Sequence, residues 1–379
     1  MPLFNVLPLL FVFLCQFCLI NAVIAATKEG DMLMNETSSV DEFLIGGDIS
    51  ALGKIEECGG VFRDKGAPGD AIEIMRNHGH NCFRLRLFVN PTYRNVVVND
   101  LPYTIALGRR IKASGARLLL NFHYSDTWAD PGHQIKPAEW AELDFDSLVD
   151  TLYQYTRDCI KTFRDEGVVP DQVQIGNEIT PGFLWPDGKL LGVGDTEEQW
   201  RKFSRLLKAG VKGVKDAAGE APVQIMLHID GGGNWLRTKW FFENVEERQV
   251  PYDIIGLSYY PWWHGTMDDL RENLENCAAT FDKDIFVVET AYPYRSMEFR
   301  NVKDLEARML WPMTPEGQRD FLKELIHTVQ GTPNNRGMGV LWWYPESIPV
   351  QNLHVWNGGA TGLFDQNGNA LPAMDSHSD

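Results

Sequence analysis

Eight apolar runs of strand length recur along the chain, and helix-like segments separate them. The segments, of which 102–115 is an example, place apolar residues at i, i+3 and i+4 among charged ones, and several end in glycine. Because strands that alternate with helices form parallel sheets, these units predict a single α/β domain, a (β/α)₈ TIM barrel. The runs lie at 44–48, 82–88, 117–123, 173–178, 223–229, 253–259, 284–289 and 339–344.

The main alternative is an open, doubly wound sheet, which binds phosphates at a glycine-rich turn after its first strand. In this chain the first run continues as GGDISALG (46–53), which lacks the GxGxxG spacing of that turn. Composition shows no break that would indicate a second domain. We therefore predict that one closed barrel spans residues 42–375.

The N-terminal 26 residues carry no charge and end in small side chains, which is typical of a signal peptide cleaved after Ala25 or Ala26. A membrane anchor is the alternative, since the apolar run is almost long enough to span a bilayer, but no basic cluster flanks it. Residues 27–41 are polar and acidic and predict a disordered lead-in with an N-glycosylation sequon at Asn35. These features predict a secreted, extracellular protein without stable membrane association.

The formal net charge is −17 at pH 7. Nucleic-acid binding depends on basic surface, so this charge argues against a nucleic-acid partner and also against a polyanionic substrate. A neutral partner fits better. Outside the signal peptide the cysteines are Cys58, Cys82, Cys159 and Cys277, none of them in CxxC spacing, which disfavours zinc and leaves free thiols and disulfides both open.

Two of the apolar runs end in a glutamate, Glu178 in VQIGNE and Glu289 in DIFVVE. A charged carboxylate is costly to bury at the end of a core strand, and in a β/α barrel that edge carries the catalytic residues. Two such glutamates predict a pair acting on one bond, and glycoside hydrolysis is the reaction that most needs such a pair. Two structural, salt-bridged glutamates are the alternative.

Aromatic residues are concentrated in the loops that follow the strands. These loops are 124–134, 180–188, 260–265 and 345–356. Aromatic rings stack on the apolar faces of pyranoses while polar groups bond the hydroxyls, so the loops predict a sugar-binding cleft on one rim of the barrel. Core packing is the alternative for any single tryptophan.

Several stretches together resemble glycoside hydrolase family 53, the arabinogalactan endo-β-1,4-galactanases. They are GGDIS, FRLRLFVNP, HYSDTWADPG, IGNEITPGFLWP, GLSYYPWW, VVETAYPY and GLFDQNGNALPA, and they run from about residue 45 to 372. The family belongs to clan A of the glycoside hydrolases, so the resemblance implies an acid/base on the fourth strand and a nucleophile on the seventh. The strand count independently places Glu178 and Glu289 on those strands.

The resemblance also implies roles for single residues. Glu178 matches the acid/base and Glu289 the nucleophile, while Asn177 matches the residue that bonds the sugar 2-hydroxyl. Arg84 aligns with an arginine beside the nucleophile, where a positive charge keeps a carboxylate ionised. For Arg86, on the same strand face, a functional role and a barrel-wall ion pair are both open.

Further positions of the family pattern would orient the nucleophile or line the cleft. Either Tyr259 or Tyr260 should supply the hydroxyl that orients Glu289. The remaining cleft residues implied by the resemblance are His123, Asp126, Trp128, Trp185, His228, Asp230 and Trp343.

The chain departs from the family pattern in two places. After the eighth strand the family usually reads WEP, whereas this chain has Trp343, Tyr344 and Pro345, which puts substrate contacts near that loop in doubt. Bacterial members carry a calcium-binding run after the YPY motif, whereas residues 292–303 read YPYRSMEFRNVK without a comparable ligand set. We predict no calcium there, no other metal and no cofactor.

These observations predict a secreted endo-β-1,4-galactanase that cleaves galactan side chains of pectin, a neutral plant cell-wall polysaccharide, with retention of configuration. One alternative is another clan A endo-glycanase, such as a β-mannanase or a cellulase. A second is a non-catalytic carbohydrate-binding barrel. A third is a metal-dependent hydrolase that uses His123, His228 and Asp230, although these residues lack the helix-borne spacing of known ligand motifs.

Overall fold

The computed structural model describes residues 42–192, 195–297 and 308–377. Eight parallel strands close into a barrel, in the order β1-β8-β7-β6-β5-β4-β3-β2, so the predicted (β/α)₈ architecture is confirmed. The predicted signal peptide (1–26) and lead-in (27–41) lie outside the described residues. The strands are Leu44–Asp48 (β1), Cys82–Leu87 (β2), Arg117–Phe122 (β3), Gln172–Ile175 (β4), Gln224–Ile229 (β5), Ile254–Tyr259 (β6), Asp284–Thr290 (β7) and Gly337–Trp343 (β8).

The α-helices of the described part lie between these strands. They are Leu52–Glu57 (α1), Ala71–Asn77 (α2), Leu101–Ala113 (α3), Phe145–Asp165 (α4), Glu197–Ala218 (α5), Trp235–Glu247 (α6), Met267–Thr280 (α7) and Pro315–Gln330 (α8). Side-chain caps define several starts; at α7 the Thr266 hydroxyl accepts from the Asp269 amide while the Asp269 carboxylate accepts from the Thr266 amide. Across residues 42–192, 195–297 and 308–377, no helix is long and apolar enough to cross a membrane.

The strands divide their side chains between two cores. One core packs the outward-facing strand residues against the helices, and the other fills the lumen. The lumen core comprises Leu44, Cys82, Leu119, Met226, Ile254, Phe286, Val288 and Leu341. Above this layer the inward-facing positions include Asp48, Arg84 and His228, so the charged and candidate catalytic side chains lie towards the carboxyl ends of the strands.

One strand departs from regular pairing next to a predicted catalytic residue. Leu257 of β6 pairs with Val287 of β7 and Ser258 with Glu289, so Val288 is an extra residue without a partner on β6. Such a β-bulge bends the strand and redirects a side chain. Both Val288, which belongs to the lumen core, and Glu289, which follows it, can therefore face inward.

The fourth strand is shorter than predicted. The sequence run extends to 178, but β4 ends at Ile175, and Glu178 follows it in a turn rather than in the strand. Gly176 has φ 81° and Glu178 φ 47°, and both angles are incompatible with extended backbone.

The sequence left open whether the four cysteines are free thiols or form disulfides. In the structure Cys58, Cys82, Cys159 and Cys277 are free thiols.

Candidate active site

A cavity of about 850 Å³ opens at the carboxyl ends of the barrel strands. Glu178 and Glu289 both line it, together with Asn177. Six aromatic side chains also line it, and they belong to Trp128, Tyr260, Trp263, Trp343, Tyr344 and Trp356. Two carboxyl groups between aromatic walls match what a polysaccharide-cleaving site requires.

Glu289 is held by two donors. Arg84 Nη1 donates to Oε2 at 2.9 Å, and the Tyr260 hydroxyl donates to Oε1 at 2.9 Å. Burial raises the pKa of Glu289, while the Arg84 charge and both hydrogen bonds act in the opposite direction. Burial and the Glu289 charge raise the pKa of Tyr260 well above its usual value, which keeps that hydroxyl a donor. The net shift of the Glu289 pKa is upward, but Arg84 and Tyr260 fix the carboxylate and stabilise its ionised form against the effect of burial.

The same arginine also orients Asn177. Arg84 Nη2 donates to Asn177 Oδ1 at 2.6 Å, and Asn177 Nδ2 donates to the Ala129 carbonyl at 2.8 Å. These two bonds fix which end of the amide is oxygen and which is nitrogen. One guanidinium thus links the amide beside Glu178, which follows β4, to the carboxylate of Glu289 on β7.

Glu178 has a left-handed backbone conformation, which is rare outside glycine and is often found at functional sites. Hydrogen bonds across to β5 hold the turn, since the Ile179 amide donates to the His228 carbonyl at 2.9 Å and the Glu178 amide to His228 Nδ1 at 3.3 Å. The Ser258 hydroxyl donates to Glu178 Oε1 at 2.7 Å. Among the residues that the structure describes, no cationic side chain pairs with Glu178, so its environment differs from that of Glu289.

This difference shows in the protonation of the pair. Burial raises the pKa of Glu178 well above its usual value, and the negative charges of Glu289 and Asp230 add to the rise. Glu289 instead forms an ion pair with Arg84, which opposes the rise of its pKa. Carboxyl groups whose environments differ in this way separate into an acid that carries a proton and an ionised base or nucleophile.

Arg86 is buried beneath the aromatic wall. Its guanidinium lies 4.5 Å from the Trp128 ring centroid and 5.0 Å from that of Tyr344, and Nη2 donates to the Tyr344 hydroxyl at 2.8 Å. It also pairs with Asp48 at 3.3 Å. The structure therefore contains the barrel-wall ion pair, and the same side chain also packs against two rings of the cleft, while a functional role for Arg86 stays a prediction.

His123, Asp126, Trp185 and Tyr259 were predicted for the cleft but are not among the residues that line the cavity. His123 is buried and accepts the Ala129 amide at Nδ1, and Asp126 accepts the amides of Asn90 and Ala138, which joins two loops. The Trp185 indole donates to the Pro181 carbonyl. The hydroxyl of Tyr259 donates to the Gly265 carbonyl, because Tyr259 occupies an outward-facing strand position.

His228, on the inward face of β5, and Asp230, just after that strand, also do not line the cavity. His228 lies under Glu178 and contacts Ser258. Asp230 accepts from the Thr180 hydroxyl and pairs with Arg237 at 2.9 Å. Of the predicted cleft-lining set, the structure brings Asn177, Trp128, Tyr260 and Trp343 to the cavity with the two glutamates, while Arg84 reaches both sides from below.

The cavity also has lining residues that were not singled out from the sequence. Trp263, His264, His354 and Trp356 come from loops whose aromatic content was noted, so a signal for them existed. The segment 92–97 after β2 carried no such signal, and most of it lines the cavity. Ser258 was detectable by strand alternation, because Ile254 faces the lumen and the positions two and four residues further on share that face.

The rival metal site would need His123, His228 and Asp230 as a ligand group. Among the residues that the structure describes, no three His, Cys, Asp or Glu side chains stand where they could hold a metal ion. Residues 298–303 of the stretch considered for calcium lie outside the described residues, so the absence of calcium there stays a prediction.

Residues 44–376 match one known family, described as Glycosyl hydrolase family 53. This match covers nearly the whole barrel domain. The chain belongs to glycosyl hydrolase family 53. It is therefore a glycoside hydrolase, as the resemblance of the motifs implied.

Individual relatives support this family 53 membership. An arabinogalactan endo-β-1,4-galactanase of Thermothelomyces thermophilus is 35% identical over 328 residues, which are 84% of this chain and 94% of that one. The family 53 catalytic domain of Ignisphaera aggregans has a TM-score of 0.82 at 33% identity, over 90% of this chain and 96% of that one. A fungal β-1,4-galactanase structure has a TM-score of 0.77 at 33% identity, over 88% and 98%.

A buried acidic residue of this family 53 chain makes folding stability depend on pH. Glu346 is fully buried and accepts the Ala51 amide at 2.9 Å through Oε1. Burial, followed by the charge of Asp48, raises its pKa from 4.5 to about 8. The folded chain therefore holds a proton that the unfolded chain releases, so this residue's contribution to stability is complete below pH 4.5 and is lost as pH rises to about 8.

We expect Glu346→Gln to remove that dependence. The amide keeps the acceptor for Ala51 and cannot ionise, so its advantage over the wild type should grow from near zero at pH 5 to about 2–4 kcal/mol at pH 9. Urea unfolding at pH 5, 7 and 9 measures it, with the exposed Glu275→Gln as the matched control. An equal difference at all three pH values would contradict the assignment.

Proposed function

We propose that this chain is an endo-β-1,4-galactanase acting on β-1,4-galactan. The observation that carries the proposal is the pair Glu178 and Glu289 in one aromatic-walled cavity, with surroundings that separate their protonation. Such a pair supports glycoside hydrolysis in general. The choice of galactan rests on the relatives, since those from Thermothelomyces thermophilus, Humicola insolens and Cellvibrio japonicus are named arabinogalactan endo-β-1,4-galactanases.

The proposed mechanism retains the anomeric configuration. Glu289 attacks the anomeric carbon while the bond to the leaving sugar breaks, and Glu178 gives its proton to the departing oxygen. Water then attacks the glycosyl-enzyme, its proton goes to Glu178, and Glu289 is released. The Arg84 contact favours the charged nucleophile, and Asn177, fixed by Arg84 and Ala129, can bond the 2-hydroxyl.

The natural substrate would be the galactan side chains of pectin, outside the cell. Support for secretion comes from the uncharged N-terminal 26 residues and from the sequon at Asn35. Support for a neutral polymer comes from the net charge of −17, which would repel a polyanion. No cofactor is required for a double displacement by two carboxyl groups.

One experiment tests both parts. The full chain is expressed in a secreting host, its N-terminus is sequenced from the medium, and reducing-sugar release is followed on galactan, mannan and cellulose. We expect a start near Ala26 or Thr27, and galactan cleavage at least about 100-fold faster than that of either other polymer. Faster cleavage of mannan or cellulose would show that the proposed substrate is wrong. Retention of residues 1–20 in the secreted material would indicate a membrane anchor.

A further inference from the structure

Beneath Glu178 lies a hydrogen-bonded pair that the proposed mechanism does not use. Ser258 projects from β6 into the lumen, and its hydroxyl is 2.7 Å from Glu178 Oε1. On its other side, His228 Nε2 of β5 is 2.8 Å from the same hydroxyl oxygen. His228 and Ser258 are fully buried, and neither lines the cavity, so they cannot act by touching a sugar.

The contacts of His228 decide which ring nitrogen carries its proton. The backbone N–H of Glu178 points at Nδ1 from 3.3 Å, and a backbone N–H can only donate. Gln174 Nε2 lies 3.0 Å from Nδ1, and that amide nitrogen also donates to the Gly176 carbonyl at 2.9 Å. Burial, followed by the charge of Arg84, lowers the pKa of His228 well below its usual value, so the ring is neutral. Nδ1 is therefore an acceptor and the single proton is on Nε2.

One further contact of Nδ1 is consistent with this assignment. Asn177 Oδ1 lies 3.2 Å from Nδ1 and could take a proton from it. That oxygen, however, already accepts from Arg84 at 2.6 Å and lies within reach of the amides of Asn121 at 3.1 Å and Gln174 at 3.2 Å. It has no need of a further donor, whereas the Glu178 amide would lose its acceptor if Nδ1 were protonated.

The direction of the Ser258 hydroxyl follows. With its proton on Nε2, His228 donates to Ser258 Oγ, so the hydroxyl proton must point elsewhere, and Glu178 Oε1 is the acceptor within reach. We infer that His228 and Ser258 are positioning residues for the general acid, which commit Oε1 to Ser258 and confine the transferable proton to Oε2. No proton passes along the pair. The inference rests on the acid/base role proposed for Glu178.

The consequence can be read in the pH dependence of kcat/KM. Glu289, Asp230 and Asp130 face Glu178 with negative charge, and Ser258 supplies the hydrogen bond that stabilises its ionised form. Removing that bond raises the pKa of Glu178, so the basic limb of the profile moves to higher pH. The rate below that limb falls nevertheless, because the proton is no longer held at one oxygen.

We expect Ser258→Ala to lower kcat on galactan about 10- to 100-fold with KM unchanged, and to move the basic limb up by about one to two pH units. The loss should shrink on an aryl galactobioside whose acidic phenol leaves without a proton. A variant that had only lost structure would be impaired equally on both substrates. No movement of the limb, or an equal loss on both substrates, would overturn the inference.

Two substitutions of His228 form a matched pair. His228→Gln places an amide nitrogen near Nε2 and keeps the donor to Ser258, whereas His228→Asn keeps an acceptor near Nδ1 and loses that donor. We expect the Gln variant to retain most of the rate and the wild-type limb, and the Asn variant to resemble Ser258→Ala. Thermal melts are recorded first, and this pair carries the test if Ser258→Ala does not fold. Equal behaviour of the pair contradicts the assigned tautomer.

Failure of this inference is distinguishable from failure of the proposed function. Glu178→Gln should abolish the basic limb if Glu178 is the titrating acid. A limb that persists in Glu178→Gln refutes the role of Glu178 and the inference with it. A limb that disappears there but stays in place in Ser258→Ala refutes only the positioning role.

Discussion

Glu289→Ala should abolish cleavage of every glycoside substrate, with kcat lowered by more than about 10⁴-fold. The reason is that no covalent intermediate can form once the carboxylate held by Arg84 and Tyr260 is gone. A better leaving group cannot compensate for a missing nucleophile, so the loss should be as large on an aryl galactobioside as on galactan. Initial rates on both substrates measure it.

A matched control makes the same chemical change away from the cavity. Glu275 is exposed on α7, and Glu275→Ala should leave the rate within about twofold of the wild type. Azide can replace the lost carboxylate and should give an inverted glycosyl azide from Glu289→Ala. If azide instead gave a retained product from this variant, the roles assigned to the two glutamates would have to be exchanged.

Glu178→Ala should lower galactan cleavage by at least about 10²–10⁴-fold, the usual value of general acid–base help. A sugar alkoxide leaves poorly without the proton that the raised pKa of Glu178 keeps available. An acidic phenol leaves without it, so glycosylation of the enzyme by an aryl galactobioside should be largely spared. Deglycosylation still lacks its base, so the glycosyl-enzyme should accumulate as a burst.

Azide distinguishes this variant from the previous one. As an anion it needs no deprotonation, so it should speed turnover of Glu178→Ala and yield a retained product. Mass spectrometry of the quenched protein should show one added galactobiosyl group, attached at Glu289. Galactan cleavage undiminished in both variants would mean that the cavity described here is not the active site.

The barrel was predictable because strand and helix periods differ and because each buried strand is a continuous apolar run. The location of Glu178 and Glu289 at one rim followed from parallel strands sharing an edge. Strand alternation could also have chosen between the two tyrosines, since Ser258 faces the lumen and Tyr259 therefore faces the helices. That leaves Tyr260 as the residue that can turn towards Glu289.

Other features had no signal in the order of residues. The bulge at Val288 lies within DIFVVE, a run that would look equally apolar with or without an extra residue. The burial of His228 and Asp230 beneath the cleft depends on the height of each residue along the barrel axis, which is set by strand stagger. Loop residues such as Trp185 were assigned to the cleft by the family resemblance, whereas the direction of each side chain depends on turn geometry.

Because of the bulge, the direction of the Glu289 side chain does not depend on whether β7 has one residue more or fewer before it. If Val288 were deleted, Glu289 would still lie opposite Ser258 and face inward, and the loss would be a gap beside Gly256, whose missing side chain makes room for Met226 and Val288. A deletion below Arg84 in the regular strand β2 would instead turn Arg84 outward to the helices. Among these two strands, the one that carries the nucleophile is thus the one whose length can vary by one residue without changing which side chain enters the cleft.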